Sequence, residues 1–350
     1  LLVGRPNIGD RNALIARINS ILDSRWLTNN GTMVQEFESR IAEYVGVKHA
    51  IVVNNATIGL EIAIKALGLS GEVIVPSYTF IATAHALTWL GLTPVFADID
   101  PATHNLDPAS VETAISPRTS GIIGVHLWGR PCDTDGLAAI ADRHGIALMY
   151  DAAHAFGCSH NGTMIGNFGA CEVFSFHATK FLNSFEGGAI VTNDAELAER
   201  LRLMRNFGFA GVDNVVSDGT NGKMPEVCAA MGLTSLDAID EIIAINRRNY
   251  HAYQSELADV LGVNLIEYNE LERNNFQYMV AEASDREHRD RIVEALHAQD
   301  VMARKYFWPG IHKMAAYQGK DSTARVRIPI TDRVAERVFV LPTGQSVNQA

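Results

Sequence analysis

The sequence places a small set of reactive side chains where apolar runs end. Asp151 closes the run IALMYD, and a carboxylate at the end of an apolar strand is costly unless a cation or hydrogen-bond donors face it. Lys180 follows 29 residues later in the polar segment ATKFLNSFE, where its amine could attack a carbonyl or carry a proton. Asn55-Ala56-Thr57 stands between the run HAIVVN and a helical pattern, and small residues at a helix start let backbone N–H groups approach a phosphate. Phe80 ends EVIVPSYTF and could lie flat against an aromatic ring. Each has a plainer reading: Asp151 as an N-cap, Lys180 as surface charge, Asn55-Ala56-Thr57 as a helix cap, Phe80 as core, His154 as a structural imidazole. Together they make a consistent anion-binding site, and residue types alone do not choose among anionic cofactors.

The elements that must hold these side chains alternate. Residues 10–23 set Leu14, Ile15, Ile18, Ile21 and Leu22 on one helical face, and Thr32 with Gln35 forms a capping-box pattern for a second helix through Val34, Phe37 and Ile41. Strands are expected at 49–54, 72–76, 93–99, 119–126 and 146–151, with helices between them at 57–69, 80–91, 107–115 and 135–145. Short apolar runs alternating with amphipathic helices imply an α/β protein with a mainly parallel sheet covered on both faces. Ligands in such sheets sit at the carboxyl ends of the strands, which is where Asn55, Phe80, Asp151 and His154 fall. Beyond residue 170 come strands at 171–177 and 187–193, then helices at 194–206 and 224–258. Residues 275–283 and a helix at 287–298 suggest a smaller α+β module. The expected division is a large domain over 1–240, N-terminal helices included, and a smaller C-terminal domain over 241–350. The end, LPTGQSVNQA, stops where a further helix could begin.

Composition narrows the classes. A chain of 350 residues, 47% apolar and 20% charged, has enough apolar content for a sizeable core. A net charge of −11 argues against general nucleic-acid binding. No apolar stretch reaches the roughly 18 residues of a membrane span, and LLVGRPNIGDRN lacks the pattern of a signal peptide. Cys132, Cys158, Cys171 and Cys228 stand far apart without a C-x-x-C pair, so the expectation is free thiols in the cytoplasm, with no metal site.

From about Gly4 to Pro342 the chain resembles the DegT/DnrJ/EryC1/StrS family of nucleotide-sugar aminotransferases, a branch of the fold-type I pyridoxal 5′-phosphate (PLP) enzymes. The motifs WLTNNGTMVQEFE, EVIVPSYTFIATAHAL, TPVFADIDPATHNLDP, GVHLWGRPCD, YDAAHAFG, FSFHATKFLNSFEGGAIVTND and NGKMPEVCAAMGL carry the likeness in order. The resemblance implies that Lys180 forms the Schiff base and shuttles the proton, and that Asp151 pairs with the pyridine nitrogen. It makes Ala56, Thr57 and Ser175 phosphate ligands and Phe80 the ring that stacks on the cofactor. Asn221, in TNGKM, would reach the phosphate of a neighbouring subunit, which implies a homodimer with composite active sites. The cofactor would cycle between PLP and its pyridoxamine form, with L-glutamate as donor and a dTDP-linked keto sugar as acceptor.

Three departures qualify the likeness. Asn55-Ala56-Thr57 stands where many members have Ser-Gly-Thr, and the helix start survives. His154 stands where many have Gln, and an imidazole can donate the same hydrogen bond to the cofactor's phenolic oxygen. Lys223 replaces a common Arg, which puts a bidentate role there in doubt. Dehydratase relatives carry histidine in place of the lysine, so Lys180 favours transamination. The overall variant most resembles enzymes that aminate C4 of dTDP-4-keto-6-deoxy-D-glucose. Arg304, Lys305, Tyr306 and His312, in ARKYFWPGIHKM, are the candidates for substrate contact, with surface or core roles as the alternative. C3 amination, a PLP-dependent deoxygenation and a non-catalytic regulatory protein of the same fold are the rival readings.

Overall fold

The computed structural model describes residues 1–319 and 327–347, so the last three residues of LPTGQSVNQA lie outside the described residues. Two helices open the chain, α1 (Arg11–Ser24) and α2 (Thr32–Val45). Strands and helices then alternate: β1 (His49–Val53), α3 (Ala56–Ala66), β2 (Glu72–Pro76), α4 (Ala82–Trp89), β3 (Thr93–Ala97), α5 (Pro108–Ala114), β4 (Thr119–Val125), α6 (Thr134–His144) and β5 (Ala147–Asp151). A two-residue-per-strand hairpin, β6 (Ser159–His160) with β7 (Thr163–Met164), precedes β8 (Glu172–Ser175) and β9 (Gly188–Thr192). Next come α7 (Ala195–Arg205), α8 (Glu226–Asp237) and α9 (Ile239–Leu257). The C-terminal part holds β10 (Val263–Leu265), β11 (Met279–Ala283), α10 (Arg286–His297), α11 (Pro329–Arg337) and β12 (Val338–Leu341).

Seven strands form one sheet in the order β1-β9-β8-β5-β4-β2-β3, and β9 alone runs against the rest. The mainly parallel α/β architecture read from the sequence is therefore present. β10, β11 and β12 make a separate antiparallel sheet. Period-two alternation sorts the side chains between layers. Ile51, Val53, Val75, Ile123, Met149 and Val173 share a core with α3, α4 and α7, whereas Leu148 and Tyr150 face α5 and α6. Asp151 and Ser175 continue the Met149 and Val173 series, so both emerge on the α3–α4 face at the carboxyl ends of β5 and β8.

Local details differ from expectation. Thr32 is the first residue of α2 and not its cap; Gly31 holds that place without a side-chain bond. The carboxylate of Glu226, buried at the start of α8, accepts from Gly31 N–H (2.9 Å) and Met33 N–H (2.8 Å). A long-range acceptor thus replaces the local capping box. Ile15 and Leu22 are exposed, so only part of the apolar face of α1 is covered, by Ala230 and Met231 of α8. The single helix expected at 224–258 breaks at Ala238, where ψ is 9°, and resumes as α9.

Candidate active site

The loop after β8 decides where Lys180 can reach, and it is tied at every turn. Ser184 N–H donates to Phe176 O (2.8 Å), and Lys180 N–H to His177 O (2.8 Å). Phe181 N–H donates to Gln277 Oε1 (3.0 Å), Asn183 Nδ2 to Asn7 O (2.9 Å), and Ser235 Oγ to Asn183 O (2.7 Å). Phe181 and Leu182 are buried in the core shared with α2 and α8. A polar loop with this many fixed partners is not free surface, and the plain reading of Lys180 as surface charge fails. Its side chain is partly buried and lines a cavity of about 300 Å³.

Asp151 lies on the same wall, 5% exposed. No helix follows it, so it is not an N-cap. Its Oδ2 accepts from Thr83 Oγ1 (2.8 Å) and its Oδ1 from Ala153 N–H (3.1 Å). Burial raises its pKa, opposed by those two bonds and then by the charges of Lys180 and His126. Lys180 responds in the opposite sense. Burial pulls the amine down to about 8, against the pull of Asp151 and Tyr306 in the other direction. The pair is therefore a carboxylate that is under-supplied with positive charge and an amine that gives up its proton near neutrality.

The start of α3 lines the same cavity. Asn55 caps the helix through Oδ1, which accepts from Ile58 N–H (2.9 Å). The N–H groups of Ala56 and Thr57 are in the first turn and have no intrahelical acceptor, so they stay available to an anion. Ser175, the last residue of β8, lines the same region. Gly188 lets β9 run close beneath this turn: a Cβ there would stand 2.9 Å from Ala56 N and 2.7 Å from Phe174 O.

Aromatic rings also line the cavity. Phe80 is not at the end of a strand, as expected, but in the turn beyond β2, with its ring 57% exposed. Its centroid is 6.5 Å from that of Phe307. His154 is buried and stacks on Trp128 (5.8 Å, 23°). Its Nδ1 accepts from Trp128 N–H (3.3 Å), and burial, then the charge of Lys180, hold its pKa far below the usual imidazole range. A neutral ring whose Nδ1 is an acceptor carries its proton on Nε2, so His154 is a fixed donor.

Of the sequence-based candidates, Ala56, Thr57, Phe80, Asp151, His154, Ser175, Lys180 and Tyr306 line one cavity. Asn221 does not; its side chain is exposed and its carbonyl accepts from Asn54 Nδ2 (3.4 Å). Three of the four substrate candidates lie elsewhere. Arg304 is exposed and stacks over Tyr306 (4.9 Å), Lys305 pairs with Asp290 (2.6 Å), and His312 bridges Ser77 and Asp332 (2.7 and 3.0 Å). Thr83, Tyr278 and Phe307 were missed. Thr83 sits in the first turn of a helix that reads as apolar, and Tyr278 comes before its strand, where the strand-end rule gives no signal.

Among the described residues, no cluster of His, Cys, Asp or Glu could hold a metal ion, and no helix is long and apolar enough to cross a membrane. The model of the DegT/DnrJ/EryC1/StrS aminotransferase family matches residues 9–350. A dTDP-4-amino-4,6-dideoxy-D-glucose transaminase of Escherichia coli is 37% identical over 99% of this chain and 94% of its own length. A GDP-perosamine synthase of Escherichia coli O157:H7 is 33% identical over 95% of this chain and 90% of its own. Among solved structures, DesI, described in the presence of its TDP-sugar product, superposes with a TM-score of 0.95 at 52% identity, covering 99% of this chain and 89% of that one.

Proposed function

We propose, from the premise that this chain belongs to the DegT/DnrJ/EryC1/StrS aminotransferase family, that it transfers the amino group of L-glutamate to C4 of dTDP-4-keto-6-deoxy-D-glucose with PLP as cofactor. The observation that carries this reading is one cavity holding an amine of pKa about 8, a buried carboxylate short of positive charge and an open helix N-terminus. The residues fit PLP. Asp151 would hold the proton on the ring nitrogen, which relieves the burial that raises its own pKa. Ala56, Thr57 and Ser175 would take the phosphate, Phe80 would cover one ring face, and His154 Nε2–H would donate to the phenolic oxygen. When bound, PLP supplies an electron sink for the pair left when a Cα–H bond breaks.

Lys180 would carry the cofactor covalently. Once released, its Nζ would take the proton from the donor's Cα and deliver it, on the same face, to the other end of the conjugated system. Because its pKa lies near neutrality, the amine is partly unprotonated at pH 7 and its ammonium is a competent acid. Tyr306, Phe307 and Phe80 line the same cavity and would limit water around the reacting carbons. Asn221, exposed and not among the residues lining its own chain's cavity, would reach the partner's phosphate in a homodimer. Residues 1–240 would form the cofactor-binding unit and 241–350 the smaller domain.

The C4 assignment draws on the dTDP-4-amino-4,6-dideoxy-D-glucose transaminase relative, and the choice of a TDP-linked sugar also on DesI and its TDP-sugar product. The test is to load the protein with pyridoxamine phosphate, supply a panel of dTDP-, UDP- and GDP-linked keto sugars, and locate the new C–N bond by NMR. Amination at C4 of the dTDP sugar is expected. A C3 product, loss of a hydroxyl without amination, or no turnover would overturn the assignment in favour of the corresponding rival, the last being a non-catalytic protein of this fold.

A further inference from the structure

Tyr278 has no part in the reading above, yet its hydroxyl is the nearest polar partner of the reactive amine. Lys180 Nζ donates to Tyr278 Oη at 3.2 Å. The same nitrogen is 5.8 Å from the ring centroid, so it lies beyond the hydroxyl edge and not over the ring face. The contact is a hydrogen bond, and its geometry is fixed from the tyrosine side. The ring is 8% exposed, packed edge-on against Trp128 (5.2 Å, 70°) and tilted against His154 (4.5 Å, 50°). Its carbonyl accepts from Tyr268 Oη (2.8 Å), and the next residue enters β11 of the small sheet. Burial raises the phenol's pKa well above its usual value, so it stays protonated.

We propose that Tyr278 is a positioning residue: its hydroxyl oxygen takes one N–H of the Lys180 ammonium and holds the nitrogen in place within the cavity. An aliphatic lysine chain otherwise samples many rotamers, and the bond to an immobile phenol selects among them. The groups facing this amine are Asp151 on β5, Tyr306 in the C-terminal segment, His154 after β5 and Tyr278 itself, with His126 behind Asp151. His154 and both phenols are neutral near pH 7, so Asp151 supplies the nearby negative charge and Tyr278 the acceptor. The inference rests on Lys180 being the amine that bonds the cofactor.

The test reads the amine directly in the cofactor-free protein. Competitive acetylation across pH, followed by peptide mass spectrometry, gives the midpoint at which Lys180 becomes reactive. Tyr278→Phe keeps the packed ring and removes the acceptor of the ammonium, so the midpoint should fall by about one unit. Tyr253→Phe removes a hydroxyl that donates to the carbonyl of Pro342, away from Tyr278, and should leave the midpoint in place. If the Phe variant does not fold, 3-fluorotyrosine at 278, a weaker acceptor of the same shape, should lower the midpoint too. In the loaded protein, single turnover of saturating glutamate should slow about tenfold in Tyr278→Phe with glutamate affinity unchanged. An unchanged midpoint, or an equal fall in Tyr253→Phe, would overturn the inference. Borohydride reduction of the loaded protein separates the two claims. A cofactor tag on Lys180 with no midpoint shift sinks the role of Tyr278 alone, whereas a tag on another residue sinks the assignment of Lys180.

Discussion

Lys180 and Asp151 each sit where the fold penalises their charge, and that penalty is measurable. The folded amine has its pKa lowered to about 8 from an unfolded value near 10.5. A lowered folded pKa means that the native state binds the proton less tightly than the unfolded chain. The associated stability is present above the unfolded pKa and is lost as pH falls through the folded one. Cofactor-free Lys180→Met should therefore be more stable than the parent by about 1–3 kcal/mol at pH 7, with the gap closing as pH rises from about 8 to 10.5. Denaturant melts at several pH values check the sign, and a gap that does not depend on pH contradicts it. Asp151 should act through charge and not shape. Asp151→Asn cannot hold the ring-nitrogen proton as a carboxylate does, and turnover should drop by about 10²-fold or more while the phosphate still anchors the cofactor. Spectral titration with PLP alongside kcat separates the two effects. At this scale the sequence was most legible, because a carboxylate closing an apolar strand is conspicuous. Tyr278 and Thr83 were not legible, since the place of Tyr278 depends on packing across two sheets and Thr83 reads as helix filler.

At the scale of elements, function depends on how closely β9 passes under the start of α3. Gly188→Ala would push a methyl group into Ala56 N and Phe174 O. The first turn of α3 should shift, and PLP retention on dialysis should fall more than tenfold, while the far-UV circular dichroism stays native. Unchanged retention would mean that the phosphate is held elsewhere. The alternation of strands and helices, and with it the strand-end location of Asn55 and Asp151, follows from apolar period alone. Boundaries depending on distant residues did not. Thr32 matches a capping box in sequence, but the buried Glu226 carboxylate, nearly two hundred positions away, takes the N–H groups of that turn. The break between α8 and α9 left no glycine or proline to announce it, and β10 and β12 are too short to give a period of their own.

At the scale of the molecule, the composite site is the claim with the widest consequence. Asn221 faces outward, beside an exposed stretch containing Phe207, Phe209, Val212, Val215 and Val216. If Asn221 serves the partner's phosphate, Lys180→Ala and Asn221→Glu subunits, each poorly active alone, should regain activity when mixed and refolded together. One site of each mixed dimer is then intact. Failure to complement, with mixed dimers verified by mass, would place Asn221 outside the site. Nothing in one chain's sequence period reports an assembly of two, and that expectation came only through the family likeness. The central claim, that Lys180 runs amino transfer from this cavity, is met most directly by one stoichiometric experiment. PLP-loaded protein is mixed with glutamate and no acceptor, and 2-oxoglutarate is counted per subunit. One equivalent is expected from the parent protein, with loss of the PLP absorption band, and none from Lys180→Ala. An equal yield from Lys180→Ala would contradict it.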